Sequence, residues 1–312
     1  MNLTVLSRSA EIYTTRRLVE AARARGIRTH VIDPLEIELG LGERPAAYWR
    51  RRRLPAADVV VPRIGLSVHQ YGLAVVNQLE LMRIPVMNGA YGIAVSRNKM
   101  RVLQMLSAAG VAVPRTVMAS EPAGIKDLVR LVGGVPVLVK LLSVSERSGV
   151  MICESLQSLE AALEAILGLG QNIVVQQYLR GPRGRDLRVL VVGGEVVAAL
   201  RRSPALGRFA PNLRRGAQFE PVTLAPEYVR PAQEAARVLQ LEVCAVDMLD
   251  VRGGPRVFEV NSSPSVREAE VICGVDVAGR IVDRAVQLAQ ERPTSLRRPA
   301  GQREATPTAR SP

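Results

Sequence analysis

Two apolar stretches in the last quarter of the chain carry charge where a protein interior tolerates little of it. In VCAVDML (243–249), Asp247 is flanked by alanine, valine, methionine and leucine. In RVFEVN (256–261), Glu259 and Asn261 sit among Val257, Phe258 and Val260. Residues two apart on a strand share a face, so Glu259 and Asn261 point the same way. The turn Arg252-Gly253-Gly254-Pro255 between the stretches predicts an antiparallel hairpin, which can bring all three oxygens together. An ionised carboxylate in apolar surroundings is costly without a counter-ion. Three hard oxygen donors without His or Cys suit Mg²⁺, with Mn²⁺ as a substitute, an ion that keeps waters and bridges phosphate oxygens. The alternative, a solvated polar face, fits poorly with such apolar flanks.

The cations give a second constraint. Of 42 Lys and Arg, only Lys99, Lys126 and Lys140 are lysine. A chain that uses arginine this consistently retains a lysine where a compact ammonium is wanted, although chance covers Lys126 well. Lys140 closes the apolar run VPVLVK. Lys99 opens a predicted helix, where a cation gains nothing from the macrodipole and an anion nearby is a reason for it.

With 312 residues the chain is long enough for two or three compact units. Hydrophobic residues make up 47% and aromatics 3%, so the core is built from Val, Leu, Ile and Ala. No apolar run approaches the ~18–20 residues that span a bilayer, and the first residues lack the apolar stretch of a signal peptide. Cys153, Cys244 and Cys273 are too scattered for a zinc site or a disulfide framework. The expectation is a cytoplasmic protein with no membrane partner. A net charge of +13 invites a nucleic-acid reading, but the charge is spread, partly into Arg50–Arg53 and the tail, which argues against direct nucleic-acid binding.

Periodicity predicts a β-α-β start: strand 2–7, helix 11–25 ended by Gly26, strand 28–32 and strand 58–64. No glycine fingerprint follows the first strand, so a dinucleotide site there is not expected. Helix 68–82, strand 84–87 and helix 97–109 come next. Then follow a strand after Pro114, a helix near 124–132, strands 135–142 and 150–153, helix 156–167 and strand 172–178. Strands 186–192 and 195–201 form a hairpin about Gly193-Gly194. Residues 203–217 read as a loop, 226–240 and 276–290 as helices, and 291–312 as a disordered tail. In VVQQYLRGPRGRDLRV, Gln177 and Tyr178 leave a strand at a hinge whose backbone can read adenine. Asp186 and Arg188 alternate on the next strand, one suited to a ribose hydroxyl, the other to phosphate or carboxylate.

These stretches resemble the RimK-type branch of the ATP-grasp superfamily. The resemblance is carried by VLSR, IDP (32–34), DVVVPRIG (58–65), RNKMRVLQMLSAAGVAVP (97–114) and LVGGVPVLVKLL (131–142). It continues through VVQQYLRG (174–181), DLRVLVVGGEVVAAL (186–200), NLRRG (212–216) and AVDML…VFEVNSSP (245–264). It covers nearly all of residues 1–288 in order. It implies an α/β chain, α+β in its C-terminal half, with an ATP-grasp fold. A pre-ATP-grasp parallel-sheet domain would occupy residues 1–95, a central and lid subdomain 96–175, a C-terminal subdomain with the Mg²⁺ site 176–290, and a tail 291–312.

The resemblance also implies roles. Lys99 and Lys140 would hold ATP phosphates, Gln177 and Tyr178 the adenine, Asp186 the nucleotide, and Asn212 would lie near the phosphates. Asp247, Glu259 and Asn261 would bind Mg²⁺. Arg188 and Arg202 are the cations expected to act on the acyl phosphate and the substrate carboxylate. The implied reaction joins glutamate to the C-terminus of a protein or peptide, by default ribosomal, in an enzyme that commonly assembles as a homo-oligomer. The sequence departs from the family at the lid, where Ser143-Val144-Ser145-Glu146-Arg147-Ser148-Gly149 keeps one glycine of several. It departs again at Gln177, where an acid is usual, at Ala210-Pro211, and at Ser265 after Pro264. An altered ligase, a Mg-ATP-binding scaffold without turnover, a ligase for a different small amino acid, and a basic RNA-binding module therefore stay open at this point.

Overall fold

The computed structural model describes residues 1–119, 124–141, 150–167, 173–179, 186–203 and 218–291. The chain begins with β1 (Asn2–Leu6), α1 (Tyr13–Ala24) and β2 (Arg28–Ile32). Next comes a small antiparallel sheet, β3 (Ile37–Gly40), β4 (Ala46–Trp49) and β5 (Arg52–Arg53), which the sequence reading left unassigned. Its tight turn is made by Arg50 and Arg51, both at positive φ (52° and 62°). That is the backbone of a two-residue hairpin without the Asn-Gly that usually announces one. β6 (Val59–Pro62) returns to the first sheet, which is parallel in the order β2-β1-β6. Leu3, Val5, Val59 and Val60 are fully buried, as a parallel sheet covered on both faces requires.

α2 (His69–Leu81) follows. The strand expected at 84–87 is reduced to one parallel bridge, Val86 to Val60. α4 (Lys99–Ala108) forms where a helix was expected over 97–109, and α3 (Ala90–Arg97) precedes it where no element was expected. The break falls at Asn98, whose side chain accepts the Arg101 N–H at 2.9 Å. Its capping preference starts a new helix at Lys99 instead of extending the old one.

The second unit is an antiparallel sheet built from β7 (Thr116–Ala119), β8 (Val137–Leu141), β9 (Val150–Cys153) and β10 (Ile173–Gln177), in the order β7-β10-β8-β9. α5 (Ile125–Val132) and α6 (Leu156–Leu167) cover it, through Val129, Val132, Leu159 and Leu163. The third unit is the sheet of β11 (Asp186–Val192), β12 (Glu195–Ser203), β13 (Gln218–Pro221), β14 (Val243–Val251) and β15 (Gly254–Asn261), ordered β13-β12-β11-β14-β15. α7 (Pro226–Val238) packs on one face with α4; α8 (Arg267–Cys273) and α9 (Val277–Gln290) pack on the other. The hairpin at Gly193-Gly194 forms as expected, both glycines at positive φ. β13 and α8 were not foreseen; each is a short element whose run is too brief for a periodic signal. Among the described residues no helix is long and apolar enough to cross a membrane.

First and third units share one core: Val5 and Val61 of the parallel sheet cluster with Leu190, Ala245 and Ile281. Asn88 pins the seam. Its amide donates to Val243 O (2.6 Å) and Ser262 O (2.7 Å), and its Oδ1 accepts from Val243 N (2.9 Å). Asn88 is 3% exposed and sits at φ +66°. Asn88→Ala leaves buried backbone groups unpaired and a Cβ residue without local support in a left-handed conformation. It is expected to lower stability by about 3 kcal/mol in a denaturant titration, and Asn88→Gly to recover about 1 kcal/mol of that.

Candidate active site

The face of the third sheet that buries Leu190 and Ala245 turns polar two residues further along each strand. Arg188 lies opposite Asp247, Asp247 opposite Glu259, and Asp186 opposite Arg202. Register thus sets these five side chains on one face, with Asn261 two residues from Glu259. Arg188 clasps Asp247 through Nε to Oδ1 (2.8 Å) and Nη2 to Oδ2 (2.7 Å). Arg202 clasps Asp186 likewise, at 2.8 and 2.6 Å. Arg202 Nη2 also stands 3.8 Å from Asp247 Oδ2, which joins the two pairs into one network. Such planar forks match carboxylates in two bonds at once.

Burial dominates the electrostatics. Asp247 and Asp186 are 1% and 2% exposed. Burial pushes the Asp186 carboxyl up to about 6, against the pull of Arg202. Asp247 holds the Arg188 guanidinium well above its usual range, against the cost of burial. For Arg202, burial works against the charge, and Asp247 and Asp186 together more than offset it. The arginines expected to face substrate are thus engaged here with carboxylates of their own sheet, and Asp186 lies under Arg202.

Lys140 reaches this row from the second sheet. Its Nζ donates to Gln176 Oε1 at 2.6 Å and stands 5.9 Å from the centre of the Phe258 ring on β15. Gln176 Nε2 in turn donates to Thr116 Oγ1 (2.8 Å). Burial pushes Lys140 down to about 8; Glu259 draws it back up and Lys99 depresses it further. Lys140, on β8, thus lies within the fields of Glu259 on β15 and Lys99 at the start of α4. The sequence reading passed over Gln176. Strand alternation puts it on the Lys140 face, since Lys140 pairs with Val174, and that was the available signal.

β10 ends at Gln177, and Tyr178 follows it, both half-buried. The Gln177 backbone N–H donates to Arg115 O (2.8 Å). Asn212 and the lid loop 143–149 lie outside the described residues.

A divalent cation fits this donor set. Among the described residues no group of three or more His, Cys, Asp or Glu could hold a metal. The candidate set is instead two carboxylates and an amide: Asp247, Glu259 and Asn261. Asn261 Oδ1 accepts from Ser263 N at 2.9 Å, and an amide oxygen keeps a second lone pair. That Asp247 draws a cationic fork onto both its oxygens is evidence that its charge needs a cation.

Comparison with known proteins gives the family. A family model described as the RimK PreATP-grasp domain matches residues 1–93, and one described as the RimK-like ATP-grasp domain matches residues 96–285. A protein of Teredinibacter turnerae called "Probable alpha-L-glutamate ligase" is 45% identical over 284 residues, 91% of this chain and 94% of that protein. One of the same description from Thioalkalivibrio sulfidiphilus is 43% identical over 298 residues, 95% of this chain and 99% of its own length. The fold is similar to that of the ATP-grasp ligase PsnB, solved with a minimal precursor, Mg and ADP. The TM-score is 0.73 at 22% identity, over 92% of this chain and 97% of PsnB. The two domain matches run one after the other from the first residue to residue 285, within α9, through the sheet that carries the carboxylate row, and with such relatives along nine-tenths of its length the chain belongs to the RimK-like ATP-grasp family.

Proposed function

We propose that this chain is an ATP-dependent carboxylate–amine ligase that adds glutamate to the C-terminal carboxylate of a protein or peptide. The observation that carries this reading is that Lys140, held by Gln176 and beside the Phe258 ring, lies in the fields of both Lys99 and Glu259, with Glu259 opposite Asp247 on the next strand. Two of the three lysines in an arginine-rich chain are thus near each other, at the strand pair that carries the two carboxylates.

A carboxylate becomes electrophilic once phosphorylated, and the transfer needs positioning and charge compensation more than covalent help from the protein. Lys99 and Lys140 bind and orient the nucleotide phosphates. Gln177 and Tyr178, at the end of β10, hold the adenine edge. Asp247, Glu259 and Asn261 are the residues that would hold Mg²⁺, which when bound would supply neutralisation of phosphate charge. Arg188 and Arg202, on the same face of the sheet as this row, are the cations placed to serve the carboxylate being activated. Asn212 belongs near the phosphates. The dry floor formed by Leu190 and Ala245 limits water, which competes with the incoming amine. The cytoplasm, where ATP and Mg²⁺ are available, is the proposed location, and a self-associated assembly the proposed state.

A second reading, Mg-ATP binding without turnover, draws on the Arg188 fork that covers Asp247. ADP release separates the two. With glutamate, a panel of acidic peptides and Mg-ATP, wild-type protein is expected to release ADP, and Glu259→Gln to slow it about a hundredfold. Tight Mg-ATP binding with no ADP from any amino acid would overturn the ligase reading.

The depressed Lys140 sets a pH dependence. Below about 8 the free ammonium is charged and meets phosphate directly; above it, binding must take up a proton. ATP affinity is expected to fall roughly tenfold per pH unit above 8, and Lys140→Arg to flatten that slope. For folding the sign is opposite. The unfolded chain binds this proton more readily between 8 and 10.5, so the lysine's cost to stability is present below 8 and relieved as pH rises towards 10.5.

A further inference from the structure

The parallel sheet has a crevice of its own. β1 continues through α1 to β2 on one side, while β6 lies on the other, so the strand order reverses between β1 and β6. In open α/β sheets, ligands bind outside the carboxyl ends of the strands at such a point. The residue leaving β6 there is Arg63. Its Nη2 donates to Pro264 O at 2.6 Å and to Ser263 O at 3.4 Å, two and three residues beyond Asn261. Among the described residues no carboxylate lies within ion-pair distance of it, and burial pushes its guanidinium down to about 10. Arg188 and Arg202, drawn into the interior on the third sheet, each hold a carboxylate. Arg63 instead holds only carbonyl oxygens.

Two further groups gather at Ile64, the residue that follows Arg63. Arg97 Nη2 donates to Ile64 O at 2.8 Å, one residue along from Arg63. His69, at the start of α2, has a buried Nδ1 with no hydrogen-bond partner. Burial and the Arg97 charge keep that imidazole below its ordinary range. A buried polar atom left unsatisfied in a native fold calls for an explanation, and an absent ligand is one. Ser96 Oγ donates to Ser262 Oγ at 2.8 Å, which ties this corner to the loop that follows the metal-binding strand.

We infer that Arg63, Arg97 and His69 form the binding site for the non-reacting α-carboxylate of the amino acid that supplies the amine. The inference rests on the ligase reading and names the residues that present its second substrate. Lys140 enters the field of Glu259 from the second sheet, whereas Arg63 approaches the Asn261 loop from the parallel sheet. An α-amine is one carbon from its α-carboxylate. Anchoring that carboxylate two to three residues beyond Asn261 therefore delivers the amine beside the carboxylate row, while the cations keep a second carboxylate from competing for activation. Nucleotide phosphate is the other anion these groups could take, and the test separates them.

His30 and His69 are the only histidines, so their imidazole signals can be followed by NMR in the full-length protein. Adding L-glutamate, with and without a non-hydrolysable Mg-ATP analogue, is expected to shift the His69 signals, leave those of His30 in place and raise the His69 pKa. Glutamate α-amide, which lacks the α-carboxylate, should move neither. Arg63→Gln should abolish the glutamate response and raise the KM for glutamate about tenfold, with Mg-ATP affinity changed less than about twofold. The inference is overturned if glutamate and its α-amide act alike on His69 or neither acts. It is also overturned if folded Arg63→Gln keeps the wild-type KM, or if the variant loses Mg-ATP affinity in place of glutamate affinity. Should Arg63→Gln fail to fold, the wild-type NMR comparison decides. A glutamate-specific His69 shift without ADP release would refute the ligase reading and leave the carboxylate site standing.

Discussion

The Arg188–Asp247 pair, joined to Arg202–Asp186, lets an otherwise apolar sheet carry buried charge. Removing one partner from such a network leaves a charge uncompensated, which costs more than the whole network contributes. The four side chains come from three adjacent strands, β12, β11 and β14, so the network is also a statement of register. A slip of one residue would send Arg188 and Asp247 to the face occupied by Val189 and Val246, which is packed under α7. Placement of Glu259 and Asn261 depends on the same alignment, because Asp247 pairs with Glu259 across the next strand boundary.

Around that row the units divide their work. The third sheet supplies carboxylates, the second supplies Lys140 and the strand end at Gln177, and α4 supplies Lys99. The parallel sheet supplies no part of the metal or phosphate set, yet it is bound to the third sheet by a common core and by Asn88, which holds the backbone at Val243 and Ser262 together. The strand that leads to Asp247 and the loop that follows Asn261 are thus fixed by one side chain from outside the third sheet. Arg63 reaches the neighbouring carbonyls of the same loop, so the parallel sheet contributes both to the rigidity of this corner and to the anion chemistry inferred for it.

Much of this was legible residue by residue. The β-α-β start, the Gly193-Gly194 hairpin and the paired strands around residue 250 follow from periodicity and turn chemistry. Where the expectation and the fold part, local competition explains it. Asn98 caps the expected helix and separates it from α3, which was not expected. Arg50-Arg51 makes a tight turn from residues that do not advertise positive φ. β13 and α8 are too short for a pattern. Gln176 was visible only through alternation beside Gln177, and Arg63 looked like any other arginine in a chain of 39.

Taken alone, the sequence determined which residues could do chemistry, because charge embedded in apolar strands and lysine retained among arginines are properties of the order of residues. It also determined the family, through motifs spread along nearly the whole chain. Tertiary structure decided who meets whom. Arg188 lies against Asp247, Arg202 against Asp186, and Lys140 within the field of Glu259, through strand register and the packing of separate sheets. Among the described residues no carboxylate pairs with Arg63 at the carboxyl end of β6. Contacts between residues tens to hundreds of positions apart are set by how sheets pack, and no local pattern encodes them.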